Sequence, residues 1–569
     1  EDTLVLMPTG GGKSMCFQIP AITMEGVAVV VSPLISLMRD QVVQLEENGI
    51  SACFINSELS WSEKEEIEER ICDNEVKIVY VSPEGILSNY LLEFFKGLDI
   101  SMIAIDEAHC VSQWGHEFRK DYMRLGELKA AFPNVPFLAL TATADSRTRN
   151  DIVAQLKFSK DHEMYVSSFD RANITYTITD RVDEVKQLND FIKGEYSGHT
   201  GIVYCLSRKK VEKITKDLQK LGHNAHAYHA GLSSQVKAKA QDLFNKEECV
   251  IIVATIAFGM GINRPDVRFV AHLDLPKSIE SYYQETGRAG RDGIDSSAWM
   301  IYGFQDVVKL SQMLEMTEAS ETYKKSARAK LDAMLTLCET TTCRRNFLLN
   351  YFEENALEDC GNCDVCLYPI DTVDALEDAQ KMLSCIYRTD QIFGANYLIE
   401  VLRGSKNAKV LERNHQDLSV HGIGSDKPKS YWSRLLRQLL SSQYVAIKNW
   451  EYRNLCLTKK SSLILKGETD FYIRRKKDLE AKRKSSSSKR ALSDNHGRDD
   501  LFEQLRKLRR ELSSEKGVPP YIIFSDKSLH DMCQLLPRDK NEFLMVNGVG
   551  QSKCEQYSQD FLQVIRPHA

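Results

Sequence analysis

Long apolar runs are missing: no stretch of the 569 residues approaches the ~20 apolar residues that cross a bilayer. Nor does a basic segment followed by an apolar one open the chain, so no secretory leader is expected. Cysteine is too scattered for a disulfide framework; the fifteen in the chain point to a reducing, cytosolic compartment. Positive charge is not in excess either, because 74 Lys and Arg face 80 Asp and Glu. Any nucleic-acid binding must therefore use local basic patches and backbone amides rather than the overall field. Compositional bias is absent too. With 43% hydrophobic and 27% charged residues, collagen-like, mucin-like and wholly disordered classes are excluded. An initiator Met is also lacking. Glu1-Asp2-Thr3 leads straight into the apolar Leu4-Val5-Leu6-Met7, and a strand at the very start predicts a trimmed N-terminus.

What is present begins with length, which suggests about four domains. Residues 1–170 alternate short β-branched runs with longer amphipathic stretches; strands are expected at Val27–Val31, Val76–Val81, Met102–Ile105 and Phe137–Leu140. Residues 171–304 repeat the alternation, with strands at Gly201–Cys205, Val250–Ala254 and Phe269–His272. Such alternation means parallel sheets flanked by helices, here as two tandem α/β domains. Residues 305–370 turn helical and then cysteine-rich, and 371–470 hold shorter helices and an expected hairpin at Tyr444–Leu457. A basic, Ser-rich linker at 471–498 follows, then a small helical segment at 499–569.

The strongest local signal is Met7-Pro8-Thr9-Gly10-Gly11-Gly12-Lys13-Ser14, set between a strand and a helical pattern. Its glycines let backbone N–H groups turn toward phosphates, Lys13 adds a point charge, and the Ser14 hydroxyl can ligate Mg²⁺. ATP is the expected ligand. The acidic pair Asp106-Glu107 ends an apolar strand, which suits Asp106 to the metal and Glu107 to the attacking water. Gln284, Arg288 and Arg291 fall at i, i+4 and i+7, so one helical face would carry three donors. From the second α/β domain they would act as arginine fingers in cis on a phosphate held by the first. Cys343, Cys360, Cys363 and Cys366 have C-x16-C-x2-C-x2-C spacing, which lets four thiolates converge on one Zn²⁺. Overlapping CxxC pairs fit a redox centre poorly. Cys338 is read as a bystander.

Together these segments resemble the RecQ DNA helicases of bacterial type, within helicase superfamily 2. MPTGGGKS (7–14), SPLISLMRDQ (32–41), DEAHC (106–110), LTATA (140–144), GIVYCLSRKK (201–210), VATIAFGMGIN (253–263) and YYQETGRAGRDG (282–293) carry the resemblance, in the family's order and spacing. Lys120 and Ala172 stand where the family usually has Pro, and an adenine-contacting motif with its glutamine would lie ahead of residue 1.

The resemblance implies two RecA-like domains, a structural zinc platform, a winged-helix domain and a small all-α HRDC domain. It implies ATP-dependent 3′→5′ unwinding of single-stranded and forked DNA in recombination and repair. It further implies a monomer, single-stranded DNA-binding protein and topoisomerase as partners, and a nucleoid location, or a nuclear one in a eukaryote. The segment Ser112–Arg119 resembles the family's aromatic-rich loop; Trp114 and Phe118 offer stacking faces for unpaired bases, beside His116 and Arg119. Core packing is the competing account of those rings. In the winged helix, Lys427, Lys429, Arg434 and Arg437 would meet backbone phosphates. Trp450 and Tyr452 would wedge at a base pair or simply pack across the hairpin. Asn547-Gly548-Val549-Gly550, with Lys553, either offers amides to a phosphate or is a turn between helices. An RNA helicase of the same superfamily and a DNA-binding scaffold without hydrolysis are the rival readings.

Overall fold

The computed structural model describes residues 1–112, 119–259, 264–317, 320–356, 359–368, 372–449, 454–474 and 496–568. Trp114, His116, Phe118, Trp450, Tyr452 and most of the basic linker therefore lie outside the described residues.

The first domain is a seven-stranded, all-parallel sheet. Its strands are β1 (Thr3–Leu6), β2 (Val27–Val31), β3 (Ala52–Ile55), β4 (Ile78–Val81), β5 (Ile100–Ile105), β6 (Phe137–Thr141) and β7 (Glu163–Val166). The spatial order β3-β4-β2-β5-β6-β1-β7 places the phosphate-loop strand and the acidic-pair strand on either side of β6. Runs such as Val27–Val31 and Ile100–Ile105 are buried along their whole length, as strands covered by helices on both faces must be.

The second domain repeats the architecture with six parallel strands, in the order β10-β11-β9-β12-β13-β8. They are β8 (Ile174–Asp180), β9 (Gly201–Tyr204), β10 (Ala225–Tyr228), β11 (Ile251–Ala254), β12 (Phe269–His272) and β13 (Ser296–Tyr302). The strands expected from apolar runs all form. Several others were not anticipated. In β8, ITYTITD alternates Thr with apolar residues, and β7 is exposed at all four positions.

Helices Phe304–Glu315, Glu321–Glu339, Arg344–Tyr351 and Asp364–Leu367 follow. The cysteine-bearing end of this segment covers the outer edge of β8. Asp364 accepts from the Ile178 N–H (3.1 Å), Arg345 donates to the Ile174 carbonyl (2.7 Å), and Asn362 accepts from the Thr175 hydroxyl (2.7 Å).

The winged-helix core gathers Met382, Leu383, Ile386, Leu398, Trp432 and Leu436. Trp432 seats its ring against Gly424, where any Cβ would stand 2.4 Å from the indole, and donates to the Gly424 carbonyl (2.9 Å). The expected hairpin forms from Val445–Asn449 and Asn454–Leu457. The helix Lys429–Ser441 requires one correction. Arg437 does not face outward toward phosphates. It is 7% exposed, pairs with Glu339 (2.9 Å) and Asp180, and lies over the Tyr302 ring at 5.0 Å. A guanidinium this buried needs carboxylates on hand, and these come from the platform helix and the second domain. Arg437→Ala should lower stability by roughly 3–5 kcal/mol by stranding the buried Glu339. Urea melts of the variant against the parent chain check this; an unchanged midpoint contradicts it.

The C-terminal helices, His496–Lys516 through Gln551–Ile565, close their own core around Phe524, Tyr557 and Phe561. This unit touches both α/β domains. Tyr557 donates to Glu47 (3.3 Å) of the first, while Arg506 pairs with Glu248 (2.8 Å) and Asp526 with Arg268 (3.7 Å) of the second.

Candidate nucleotide site and zinc centre

Residues 7–14 leave β1 and enter the helix Met15–Thr23. Gly10 and Gly12 take φ of +81° and +90°, values that penalise any Cβ. A Cβ on Gly10 would also press on Arg291 (3.1 Å) and Arg171 (3.3 Å), so the backbone angle demands glycine and the close approach of both arginines adds to the preference. The Met7 N–H donates to the Thr141 carbonyl at 3.1 Å, which fastens the loop to the end of β6. The amides of Met15, Cys16 and Phe17 turn back onto the carbonyls of Gly12, Lys13 and Ser14 (2.9–3.3 Å), so it is the glycine loop ahead of the helix, with Lys13, that suits a polyphosphate.

Asp106 and Glu107 leave the end of β5. The Glu107 N–H donates to Asp106 Oδ1 (2.9 Å), and the Tyr122 hydroxyl donates to the Asp106 carbonyl (3.1 Å). Burial and then the Glu107 carboxylate push the Asp106 carboxyl up to about 7, with Lys13 opposing. A carboxylate so destabilised is one that a cation would relieve. Asp106 and Ser14 therefore fit a Mg²⁺ ion held with the nucleotide. Glu107 sits in the left-handed region at φ +50°, strain typical of a side chain held for function. Buried His109 lies 3.3 Å from Glu107 Oε2 and 3.0 Å from the Thr141 hydroxyl, joining the acidic pair to LTATA.

The structure corrects the expected helical face. The helix ends at Thr286, Gly287 caps it, and Gly290 takes φ +55°. Gln284 is in the last turn, but Arg288 and Arg291 lie on the turns beyond it. These turns fold against the phosphate loop: a Cβ on Gly287 would meet Thr9 at 3.2 Å. Gln284 and Arg288 are buried, and Arg288 donates to the Gly259 carbonyl. Burial, then Arg288 and Arg171, pushes the Arg291 guanidinium down to about 9, while Glu107 across the cleft favours its charge. It stays protonated at neutral pH. Three arginines drawn together against a phosphate loop make a strongly positive site, which suits a triphosphate.

Sequence reasoning missed Arg171. It is 8% exposed and donates to Thr9, Gly287 (3.1 Å), Ala289 (2.9 Å) and Gly290 (2.9 Å), tying the loop of one domain to the turns of the other. The available signal was an Arg in the interdomain segment beside Ala172.

The aromatic-rich loop itself lies outside the described residues, but both its ends are pinned. Ser112 donates to Asp151 (2.6 Å), and Arg119 donates to the Pro33 carbonyl (2.9 Å) of the SPLISLMRDQ segment. In the winged helix, Lys429 is exposed, whereas Lys427 and Arg434 are half-buried, Lys427 lying 3.5 Å from Asp426. Lys553 points inward to the Ile522 carbonyl (2.6 Å), and the Asn547 N–H goes to Asp531 (2.7 Å). Residues 547–550 thus form a turn between helices.

The sulfurs of Cys343, Cys360, Cys363 and Cys366 all lie within 4.8 Å of one another. Cys360–Cys366 is 3.9 Å and Cys363–Cys366 is 3.5 Å, close to the ~3.8 Å edge of a tetrahedron with 2.3 Å Zn–S bonds. Backbone N–H groups of Asn346 and Asn362 approach Cys343 (3.5 Å) and Cys360 (3.4 Å). The Cys360 thiol's hydrogen bond holds Cys363 down to about 4, a ready thiolate. Cys338 is buried in the core outside this group.

Family models match in series along the chain: DEAD/DEAH box helicase over 1–152, helicase conserved C-terminal domain over 183–293, and RecQ zinc-binding over 304–367. The RQC domain matches 369–482 and the HRDC domain 498–565. The ATP-dependent DNA helicase RecQ of Haemophilus influenzae is 45% identical over all of this chain and 91% of its own length. The chain belongs to the RecQ family of ATP-dependent DNA helicases. The RecQ protein of Pasteurella multocida is 44% identical, covering all of this chain and 89% of its own, and that of Bacillus subtilis 38%, covering all and 94%. This RecQ chain thus pairs an ATP-dependent DNA helicase core with zinc-binding, RQC and HRDC domains. No described helix is long and apolar enough to cross a membrane.

Proposed function

We propose that this helicase moves 3′→5′ along one DNA strand and opens forked duplexes in recombination and repair. The observation that carries the motor reading is Gly10, closed over by Arg291 and Arg171 from across the cleft. Lys13 and the loop amides hold the β- and γ-phosphates of ATP. Ser14 and Asp106 hold Mg²⁺, which when bound spreads the charge of the transferring phosphoryl group. Glu107 orients the attacking water, and His109 relays its position to Thr141. Arg291, with Arg288 and Gln284 behind it, neutralises charge developing on the γ-phosphate. Trp114, His116, Phe118 and Arg119 report the strand to this site, since Arg119 ends the loop and is bonded to Pro33. Lys427, Lys429 and Arg434 are the winged-helix residues assigned to backbone phosphates. Direction of travel rests on the family resemblance alone. The four cysteines hold one structural Zn²⁺.

Lys13→Ala tests the motor. DNA-stimulated hydrolysis should fall at least a hundredfold, while single-stranded DNA is held within a few-fold of the parent affinity. Loss of the phosphate contact removes the reaction, not the DNA surface. A variant that keeps most of its turnover contradicts the assignment. Tailed duplexes with 3′ or 5′ overhangs, in DNA and in RNA, test direction and substrate on the parent chain.

A further inference from the structure

The segment joining the two α/β domains is fastened on both sides. Toward the cysteine-bearing platform, the Ser168 hydroxyl (2.6 Å) and the Phe169 N–H (2.7 Å) both donate to Glu354. Phe169 stacks on Phe352 with ring centroids 4.8 Å apart, and Asn362 donates to the Ala172 carbonyl (3.0 Å). Toward the second domain, the Tyr283 hydroxyl donates to the Phe169 carbonyl (2.6 Å), and Asn173 donates to the Gly290 and Ile294 carbonyls (2.9 Å each). A backbone held this way presents the side chain at its middle, Arg171, in one place.

Arg171 distributes its donors as a phosphate ligand would not. Nη1 donates to the Thr9 carbonyl of the phosphate loop and to the Gly287 carbonyl (3.1 Å), while Nη2 donates to Ala289 and Gly290 (2.9 Å each). A guanidinium has five N–H groups, and with four of them on backbone oxygens one at most is left for a nucleotide. One nitrogen therefore bridges the loop of the first domain and the turn of the second that carries Arg291. That turn keeps its shape from within its own domain. The Gly290 N–H donates to the Val267 carbonyl (2.9 Å) and the Arg291 N–H to the Pro265 carbonyl (3.1 Å). Bonds inside one domain cannot set where the turn stands against the loop of the other. Arg171 crosses that boundary where the two backbones come closest, since a Cβ on Gly287 would stand 3.2 Å from Thr9.

We propose that Arg171 is a positioning residue for hydrolysis, which registers the Arg291 turn against the phosphate loop. A finger from one domain meets a phosphoryl group held by the other only at a fixed separation, and a misplacement of ~1 Å can cost about a hundredfold in rate. Arg171 lies three residues ahead of β8, on the connection itself. It keeps its three carbonyls on the finger turn while the Thr9 bond makes and breaks as the domains close and open. The inference rests on the reading of Arg291 as the finger of an ATP-driven motor, and deepens it.

The test uses the full chain at saturating single-stranded DNA and the variant Arg171→Met, which keeps the side chain's bulk and removes its donors. Its kcat for ATP should fall about a hundredfold while KM changes less than about threefold. Affinity for ADP with aluminium fluoride, a mimic of the transferring phosphoryl group, should fall about as far as kcat, and affinity for ADP alone should not. A side chain that only braces the fold would not single out the mimic. Arg171→Lys should recover about tenfold at most, because an ammonium lacks the planar fork that spans both domains. If thermal melts show Arg171→Met unfolded, Arg171→Lys carries the same measurements with kcat about tenfold below the parent. Within an Arg291→Ala chain, Arg171→Met should cost less than about threefold more, because its effect passes through Arg291. A multiplied loss in the double variant, a raised KM with kcat kept, or parent-like turnover by Arg171→Met overturns the inference. Full hydrolysis by Arg291→Ala alone would instead overturn the reading of the finger.

Discussion

Replacing Arg291 with Ala should lower ATP hydrolysis about a thousandfold at saturating DNA, with nucleotide affinity changed only severalfold. The side chain lies against Gly10, within the positive potential of Arg171 and Arg288, and across the cleft from Glu107. Burial and the two neighbouring guanidiniums disfavour its charge. Charge that builds on the γ-phosphate oxygens relieves it, so the benefit falls on the transition state more than on bound ATP. Arg291→Lys should recover less than a tenth of the lost rate, because an ammonium lacks the planar fork. Stopped-flow binding of a fluorescent ATP analogue alongside single-turnover hydrolysis separates the two effects. A variant hydrolysing above one-tenth of the parent rate, or one that fails to bind nucleotide, assigns Arg291 a packing role.

Removing the metal from the cysteine group should be the most damaging change to the fold. Structural zinc contributes roughly 10–16 kcal/mol to folding at neutral pH, more than most domains have in total. Metal analysis should return one zinc per chain. Cys363→Ser should abolish it, because the Cys363 sulfur is fully buried within the group and lies 3.5 Å from that of Cys366. Limited proteolysis should then cut within 304–367 while the first α/β domain survives. Folded chain without zinc, or a Cys363→Ser variant that keeps it, contradicts the structural role.

Much of this was legible in the sequence, because phosphate, metal and zinc chemistry each demand a few residue types at short range. The phosphate loop, the acidic pair and the four cysteines are local, and the fold needs only to present them. Long-range partners are what the sequence hides. Arg437 reads as a solvent-facing cation on an amphipathic helix, but its carboxylates are 98 and 257 residues away. Arg171 gives no pattern, because its four acceptors are backbone carbonyls that any residue carries. The i, i+4, i+7 spacing of Gln284, Arg288 and Arg291 misled for another reason. Periodicity describes a helix only while the backbone remains one, and Gly287 and Gly290 end it after Thr286. β8 escaped because its Thr side chains interrupt the apolar run, although Ile174, Tyr176 and Ile178 alternate on one buried face.

The cysteine knuckle's grip on β8 bears on how the protein survives at high concentration. An open parallel sheet ends in a row of unsatisfied N–H and C=O groups, a template on which a second chain can add a strand. Here Asp364 and Arg345 occupy groups along that row, Asn362 holds the Thr175 hydroxyl beside it, and Cys363 bridges to Tyr176. The metal centre thus acts as a cover against self-association as well as a brace. Stripped of zinc, the chain should not merely loosen; it should assemble through β8, with light scattering rising before the bulk helical signal falls.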